Sequence, residues 1–190
     1  MYELIRDRLA QSLLIGGEIS TKDSESEKNE CDAAVLIPIL KKTEPEILLT
    51  LRARHLNSHG GEVALPGGKV DAEDASLIET ALRETNEEVG IHTGHIEIVG
   101  GLKPKKSRFG LAVKPYIGLV DPQANIVANQ DELSEVFSVP VAFFRDNEPK
   151  KQTNFEGNIY NIPSYEYDGY NIWGLTAFIL MDFVYRVFEE

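Results

Sequence analysis

The stretch from Gly67 to Ile91, GGKVDAEDASLIETALRETNEEVGI, decides the fold of this chain because it combines a glycine turn, a helix and a helix stop. Ser76, with Glu79 three residues later, predicts a capping box at the helix N-terminus. Gly90 lies where a left-handed C-terminal cap is expected. Three apolar residues between these caps are able to face a core: Ile78, Leu82 and Val89. The stretch therefore predicts a capped amphipathic helix that follows a glycine turn.

Three glutamates give the predicted helix an acidic face. At about 100° per residue, Glu84, Glu87 and Glu88 fall within an arc of about 100°. Like charges four residues apart cost a few tenths of a kcal/mol, whereas a hard divalent cation prefers such carboxylate oxygens. Arg83 precedes Glu87 by four residues and is interpreted as a group that fixes Glu87 in place. The competing interpretation is a solvated acidic surface, but the linked spacing of turn, caps and Arg-Glu pair favours a metal site.

The second half of this stretch resembles the box that defines the Nudix hydrolases, G-x5-E-x7-R-E-U-x-E-E-x-G-U with U apolar. The matching residues are Arg83, Glu84, Glu87, Glu88, Gly90 and Ile91. Thr85 replaces an apolar residue, and Ala75 stands where the first glutamate is expected. Asp74, one position earlier, is a candidate to take the place of that glutamate.

Resemblance to that family implies an α/β/α sandwich with a mixed sheet, and hydrolysis of a diphosphate with the help of Mg²⁺ or Mn²⁺. A carboxylate-bound cation screens the phosphates and lowers the pKa of a bound water. The residues implied as catalytic are Arg83, Glu84, Glu87 and Glu88. The candidate metal ligands are Glu84, Glu87, Glu88 and, from a distal loop, Glu132, with Glu135 as its alternative. Which glutamate deprotonates the water stays open at this point.

The segment before the glycine turn, Leu48–Gly68, resembles a motif of the coenzyme A pyrophosphatase subgroup, L-L-T-x-R-[SA]-x3-R-x3-G-x3-F-P-G-G. Asn57 replaces the second arginine of that motif, and Leu65 replaces the phenylalanine. The opening GGKVDAED of residues 67–74 is similar to the subgroup pattern G-G-K-x-D-x-x-D. Residues 131–140 and 172–177 also look like subgroup landmarks. The resemblance therefore covers roughly residues 33–185, which is most of the chain.

The subgroup acts on coenzyme A or acyl-coenzyme A and yields 3',5'-ADP and 4'-phosphopantetheine or its acyl form. Cationic and backbone donors near the turn are expected to bind such a substrate: Arg52, Arg54, His59, Gly67 and Gly68, with His55 nearby. Asn57 removes one positive charge of the motif, which predicts weaker recognition of the 3'-phosphate. Trp173 is expected to pack the C-terminal helix rather than to stack on adenine.

Two alternatives remain open on the sequence alone. One is a pyrophosphatase for ADP-ribose, NADH or a nucleotide sugar. The other is a Nudix-like module that senses a nucleotide without cleaving it, although a pure binding module does not need the complete set Arg83, Glu84, Glu87 and Glu88.

The rest of the chain predicts one α/β domain of residues 33–190, preceded by a helix and polar loop in residues 1–32. The predicted helices are Met1–Leu14 and Trp173–Val187, with a short helix or turn at Asp131–Phe137 and a polar loop at Ser20–Asp32. The predicted strands are Ala33–Ile39, Glu46–Leu51, Ile96–Leu102, Leu111–Val120 and Phe155–Ile162. Pro115 predicts that its strand is an edge strand or contains a bulge.

Composition restricts the partners. A net charge of −12 over 190 residues argues against nucleic acid and membrane surfaces. No apolar run approaches the roughly 20 residues that span a bilayer. The single cysteine, Cys31, excludes an intrachain disulfide and fits a reducing cytosol. The predictions are therefore a cytoplasmic enzyme with a small nucleotide diphosphate as its substrate, for which a homodimer is possible.

Overall fold

Strand β1, Ala33–Leu40, lies in the middle of the main sheet, and all its residues except the partly exposed Val35 are buried. The computed structural model describes residues 1–14, 25–56, 59–150, 153–155 and 158–189. β1 pairs in parallel with β7 (Ala112–Val120) along its whole length. On its other side it pairs with β4 (Gly67–Lys69) at its start and with β2 (Glu46–Arg52) at its end. The apolar run at the start of the domain is therefore the doubly buried strand that the sequence predicts.

The remaining strands complete this mixed sheet and add two hairpins. β2 also pairs with β3 and β8, and β7 also pairs with β5 and β6. The bounds are β3 Val63–Ala64, β5 Ile96–Gly101, β6 Lys105–Lys106 and β8 Leu133–Pro140. The hairpins are β9 Thr153–Phe155 with β10 Asn158–Tyr160, and β11 Ser164–Tyr167 with β12 Tyr170–Trp173. β1 and β2 pair with each other only where β1 ends and β2 begins. Away from this point the two strands separate, and β4 pairs with β1 while β3 pairs with β2.

Helices cover both faces of the sheet, which confirms the α/β/α sandwich. Helix α3, Leu77–Val89, covers one face, and its Leu77 shares a buried core with Leu36 of β1. The other face is covered by α1 (Tyr2–Leu14), α4 (Val141–Asp146) and α5 (Gly174–Val184), the last of which continues into a π-helical turn at Tyr185–Glu189. Ile37 and Ile39 belong to the core on this second side. Successive side chains of β1 point to opposite faces of the sheet, so this strand contributes to the core on both sides.

The caps of α3 confirm the prediction made from sequence. The Ser76 hydroxyl accepts a hydrogen bond from the backbone N–H of Glu79 at 3.1 Å. The Glu79 carboxylate reaches back to the N–H of Ala75 at 2.7 Å rather than to that of Ser76. Gly90 adopts a left-handed φ of 70° and its N–H donates to Asn86. Both ends of the helix are therefore fixed by local sequence.

Thr85 shows how the chain tolerates a hydroxyl at a position where the Nudix box has an apolar residue. Its side chain is fully buried. The hydroxyl donates to the backbone carbonyl of Ala81 at 2.6 Å, so no buried polar group is left unpaired there.

The polar loop predicted at Ser20–Asp32 is wrong for its described part. Residues Glu25–Glu30 form a short helix, α2, while residues 20–24 lie outside the described residues. Glu27 of this helix forms an ion pair with Lys114, whose side chain is buried in β7. A buried ammonium needs an anionic partner, and this long-range requirement is not visible in the local sequence.

Two further predictions of secondary structure are corrected. The short helix or turn predicted at Asp131–Phe137 is wrong, because Leu133–Pro140 forms strand β8. β8 pairs with β2 over the whole length of β2, and tertiary pairing of this kind overrides local propensity. The single strand predicted at Phe155–Ile162 is also wrong, since β9 and β10 form a hairpin in this region.

Pro115 does not mark an edge strand, and the irregularity in the pairing of β7 with β5 falls between Ile98 and Gly100 of β5. Its strand, β7, lies between β1 and β5. The Pro115 carbonyl accepts from the N–H of Leu102 at 2.8 Å, just after β5 ends and before β6 begins. Proline has no N–H to donate, and here that N–H would point to where the neighbouring chain leaves the sheet. Few hydrogen bonds between strands are therefore lost, although β7 is an interior strand.

Both predicted terminal helices are confirmed as α1 and α5. Ile5 of α1 is fully buried in the same core as Phe183 of α5, and the Tyr2 hydroxyl donates to the Leu40 carbonyl at 2.8 Å. The proposed boundary at residue 32 stays a prediction. Within the described residues, every helix is too short or too polar to cross a membrane.

Candidate functional site

The glycine turn is held tightly against the central strand. Gly67 has a φ of 148°, and a Cβ at this position would lie 2.4 Å from the Ala34 carbonyl oxygen and 2.5 Å from the Val35 Cα. Only a residue without a side chain fits between these backbone atoms. The N–H of Gly67 donates to the Glu88 carboxylate at 3.1 Å. The turn is thus anchored to β1 on one side and to the acidic helix on the other.

Gly68 makes room for a carboxylate instead of a strand. A Cβ at this position would lie 2.4 Å from Oε2 and 2.6 Å from Oε1 of Glu84. Glu84 therefore projects from α3 onto the backbone of the turn. Gly67 thus makes room for the backbone of β1, and Gly68 makes room for the carboxylate of Glu84.

The three glutamates of the acidic face differ in their exposure to solvent. The exposed fractions of the side chains are 3% for Glu88, 19% for Glu84 and 54% for Glu87. Buried carboxylates are rare unless they are paired or bind a metal. Burial therefore argues against a solvated acidic surface for Glu88 and Glu84, while Glu87 alone would be compatible with one.

Glu88 is held by two donors. The Arg52 guanidinium donates to Oε1 at 3.2 Å, and Gly67 donates to Oε2. Burial raises the pKa of Glu88 to about 7; the Gly67 hydrogen bond and the Arg52 charge oppose this shift, and the charges of Glu84 and Glu132 add to it. A carboxyl group with this pKa is costly to ionise without a further cation.

Glu132, which a distal loop carries, lies close enough to the acidic face for its charge to raise the pKa values of Glu84 and Glu88. Its role as a metal ligand stays a prediction. Burial raises the pKa of Glu84; Arg83 opposes the shift, and the charges of Glu87 and Glu132 add to it. The loop that carries Glu132 is fixed to the helix end, because the Asn129 N–H donates to the Glu88 carbonyl at 2.8 Å. The alternative, Glu135, instead accepts a hydrogen bond from Tyr170.

Arg83 contacts Glu87 as predicted, but Glu87 is not its main partner. Its Nη1 lies 3.4 Å from the Glu87 carboxylate and 2.9 Å from that of Glu84. Its Nε and Nη2 donate to the two oxygens of Asp74, each at 2.9 Å. Arg83 lowers the pKa of Asp74 well below the usual range. Asp74 thus positions Arg83. The sequence alone did not define a role for Asp74, because residues 74–75 depart from the family box.

A cavity of about 520 Å³ opens beside the turn. Its floor is mainly apolar and includes Val35, Leu65, Val113, Leu175 and Ile179. Its polar lining includes Arg52, His59, Glu62, Lys69, Lys106 and Arg108. Of the predicted substrate-binding residues, Arg52, His59, Gly67 and Gly68 therefore border one space. Arg54 and His55 are exposed and lie outside this lining, and Asn57 is not among the described residues.

Lys106, Arg108 and Phe109 are lining residues that sequence reasoning missed. Lys106 ends β6, and Arg108 and Phe109 lie in the turn between β6 and β7, well after the acidic helix in the chain. The cluster Lys105-Lys106-Ser107-Arg108 was a visible local signal in a chain of net charge −12. Its placement opposite the glycine turn depends on the pairing of β7 with β1, which no local pattern reveals.

The carboxylates fit a hard divalent cation, although they do not form a closed ligand set. Among the described residues, no three acidic, histidine or cysteine side chains converge closely enough to hold a metal as they stand. Arg83 and Arg52 are paired with Glu84 and Glu88. Two desolvated carboxylates with raised pKa values beside a glycine turn are nevertheless the oxygen donors that Mg²⁺ takes, with waters and substrate phosphates completing its shell.

The raised pKa of Glu88 predicts how stability depends on pH in metal-free protein. Between about pH 4.5 and 7 the folded state binds the proton of this group more tightly than the unfolded state does. Unfolding free energy therefore falls as pH rises through this range, by on the order of 2–3 kcal/mol. The depressed pKa of Asp74 acts in the opposite direction and only at more acidic pH.

We expect melting temperatures in a chelator to fall from pH 5 to pH 8, and Glu88→Gln to remove most of this fall. Differential scanning calorimetry at four pH values checks it, with Glu73→Gln as the control because Glu73 is exposed and precedes the helix. Parallel curves for Glu88→Gln and wild type would contradict the assignment of the titration to Glu88.

Comparison with known proteins identifies the family of this chain. The NUDIX domain family matches residues 31–160. Proteins of Salmonella paratyphi B and Salmonella newport, both called uncharacterized Nudix hydrolase NudL, are 40% identical over 161 residues, which is 84% of this chain and 84% of theirs.

Solved structures support the fold. A MutT/nudix family protein from Enterococcus faecalis has a TM-score of 0.54 at 18% identity, covering 96% of this chain and 70% of that one. An Ap4A hydrolase from C. elegans in a binary complex has a TM-score of 0.50 at 20% identity, covering 58% and 80%. The family match together with the NudL relatives leads to one conclusion: the chain belongs to the Nudix family of hydrolases.

Proposed function

We propose that this Nudix hydrolase cleaves the diphosphate bond of coenzyme A or acyl-coenzyme A and releases 3',5'-ADP and 4'-phosphopantetheine or its acyl form. The observation that carries the proposal is the cavity beside the glycine turn, whose lining is mainly apolar and also includes Lys69, Lys106 and Arg108. Coenzyme A combines a long, weakly polar pantetheine arm with a diphosphate. The likeness of Leu48–Gly68 to the subgroup motif points in the same direction.

In this proposal Glu84, Glu87, Glu88 and Glu132 hold Mg²⁺ or Mn²⁺. When bound, the cation supplies charge neutralisation of the diphosphate and acidification of a water. The residues of the chain bind and orient the substrate. The Nε of Arg52 is buried without a hydrogen-bond partner in the described structure, and Arg52 lines the cavity. A phosphate oxygen would satisfy this donor. Gly67 and Gly68 border the cavity and let the turn lie against β1 and against Glu84. Arg83 restrains Glu84.

The test is a comparison of substrates at equal concentration with Mg²⁺ and with Mn²⁺. Coenzyme A, acetyl-coenzyme A, NADH and ADP-ribose are incubated with the purified chain, and the products are separated by chromatography. We expect kcat/KM for the two coenzyme A substrates to exceed that for NADH and ADP-ribose by about tenfold or more, since only they fill the apolar cavity with the pantetheine arm.

If kcat/KM for ADP-ribose or NADH exceeded that for the coenzyme A substrates, the proposed substrate would be wrong, while hydrolysis of a diphosphate would still be the reaction. Binding of these compounds without turnover, measured by calorimetry in the presence of either cation, would instead indicate a nucleotide-sensing module.

A further inference from the structure

The turn between β6 and β7 is a defined structure at the mouth of the cavity. The Ser107 hydroxyl accepts hydrogen bonds from the N–H groups of Phe109 and Leu111 at 3.2 and 3.1 Å. The Ser107 N–H donates to the Leu111 carbonyl at 2.8 Å, and Gly110 adopts a φ of 85° that closes the turn. Arg108 is therefore presented from a fixed backbone.

Two aromatic rings flank the Arg108 guanidinium. Its Cζ lies 4.7 Å from the ring centroid of Phe109 and 5.3 Å from that of Trp173. These distances are within the range of cation–π contacts. Its Nη2 lies 3.5 Å from the Glu62 carboxylate, a long ion pair. Glu62 also contacts the His59 ring nitrogen at 2.7 Å. The two rings thus hold the guanidinium in place, while Glu62 has a shorter contact with His59.

The turn between β6 and β7 and the glycine turn line the same cavity from different strands. Strand register places Lys69 beside Ala33, Ala33 beside Val113, and Val113 beside Lys105. Three steps between neighbouring strands separate the backbones of β4 and β6 by about 14 Å. The long side chain of Arg108 takes up part of this distance. Arg108 is therefore placed to contact a group of the substrate other than a diphosphate that lies at the glycine turn.

Coenzyme A carries such a group, the phosphate on the 3' oxygen of its ribose, whereas ADP-ribose and NADH have none. The subgroup motif has a second arginine where this chain has Asn57. Lys106 and Arg108 place positive charge on the opposite side of the same cavity. A guanidinium forms paired hydrogen bonds with a phosphate, which a lysine cannot do.

We propose that Arg108 is a specificity-determining residue that binds the ribose 3'-phosphate of coenzyme A, with Lys106 adding positive charge; this inference rests on the proposed function. On substrate binding the 3'-phosphate takes the place of the Glu62 carboxylate beside Nη2. Glu62 keeps its contact with His59. Arg108, in a turn distant in sequence, thereby supplies the positive charge that is missing from the motif because Asn57 replaces its second arginine.

The test compares coenzyme A with 3'-dephospho-coenzyme A, which lacks only that phosphate. For wild type we expect a KM for coenzyme A about 10–100-fold lower than for the dephospho compound, the range of a charge-assisted hydrogen-bonded contact. Arg108→Gln should raise the KM for coenzyme A by about the same factor, with kcat within twofold and the KM for the dephospho compound unchanged. Arg108→Lys should restore part of the preference.

Arg145→Gln is the matched control, because Arg145 is on α4, pairs with Asp146 and does not line the cavity. Melting temperatures of all variants establish that they are folded. An unchanged KM ratio in Arg108→Gln, or equal use of both compounds by wild type, overturns the assignment of Arg108 alone. Turnover of ADP-ribose without turnover of either coenzyme compound overturns the proposed function and this assignment with it.

Discussion

Glu84→Gln and Glu88→Gln are expected to lower kcat by about 10³-fold each, while the protein stays folded. Each change removes one anionic oxygen donor from the two most buried carboxylates of the acidic helix. Loss of cation-based charge stabilisation costs several kcal/mol in the transition state, which corresponds to this factor in rate. Glutamine has the same shape and keeps one acceptor oxygen, so one of the two hydrogen bonds that Glu88 accepts, from Arg52 or from Gly67, remains available.

The measurement is steady-state hydrolysis with saturating Mg²⁺, together with circular dichroism and cation binding by calorimetry. Glu73→Gln serves as the control, because it removes an exposed charge just before the same helix. Glu87→Gln should have a smaller effect than the other two, since Glu87 is largely exposed. Unchanged kcat in both Glu84→Gln and Glu88→Gln would remove the acidic helix from the reaction.

Alanine at the two turn glycines should separate activity from stability. In Gly68→Ala the new methyl group meets the end of the Glu84 side chain, which can rotate away. We expect a loss of activity of about 10²-fold with little change in melting temperature, because the carboxylate is displaced from the turn. In Gly67→Ala the methyl group meets backbone atoms of β1 at 2.4 and 2.5 Å and the φ of 148° is strained. We expect a loss of unfolding free energy of about 3 kcal/mol or more.

Chemical denaturation and kinetic assays on the same preparations check both expectations, and each variant is the control for the other. Full activity in Gly68→Ala would mean that the position of Glu84 against the turn is unimportant for turnover. Wild-type stability in Gly67→Ala would mean that β1 and β4 separate at little cost.

The sequence predicted the acidic helix correctly because its determinants are local. The Ser76 and Gly90 caps depend on neighbours within a few residues, and the family box recurs at fixed spacing. The prediction at Asp131–Phe137 failed because Leu133, Val136 and Phe137 have a helical spacing, while pairing with β2 gives β8 its conformation. Nonlocal pairing of this kind is not encoded in a short window.

The same difference between local and nonlocal determinants applies to the residues of the candidate site. Glu84, Glu88 and Arg83 were identifiable because one helix presents them. Asp74 was noted as a departure from the family box, but its two hydrogen bonds to Arg83 depend on the path of the chain between turn and helix. Arg108 was missed entirely, because it meets the other lining residues only after β7 has paired with β1.

The parallel pairing of β1 with β7 has a consequence for how the protein is made. Ala33 pairs with Val113 and Leu40 with Val120, so β1 emerges from the ribosome long before its partner along this edge. Contacts between residues so distant in sequence are slow to form and expose apolar strand edges in the meantime. The glycine turn rests on the other edge of β1, next to Ala34 and Val35. A nascent chain that stops before Ala112 therefore carries the whole acidic helix but lacks the strand that completes its platform, and catalytic competence arises only late in synthesis.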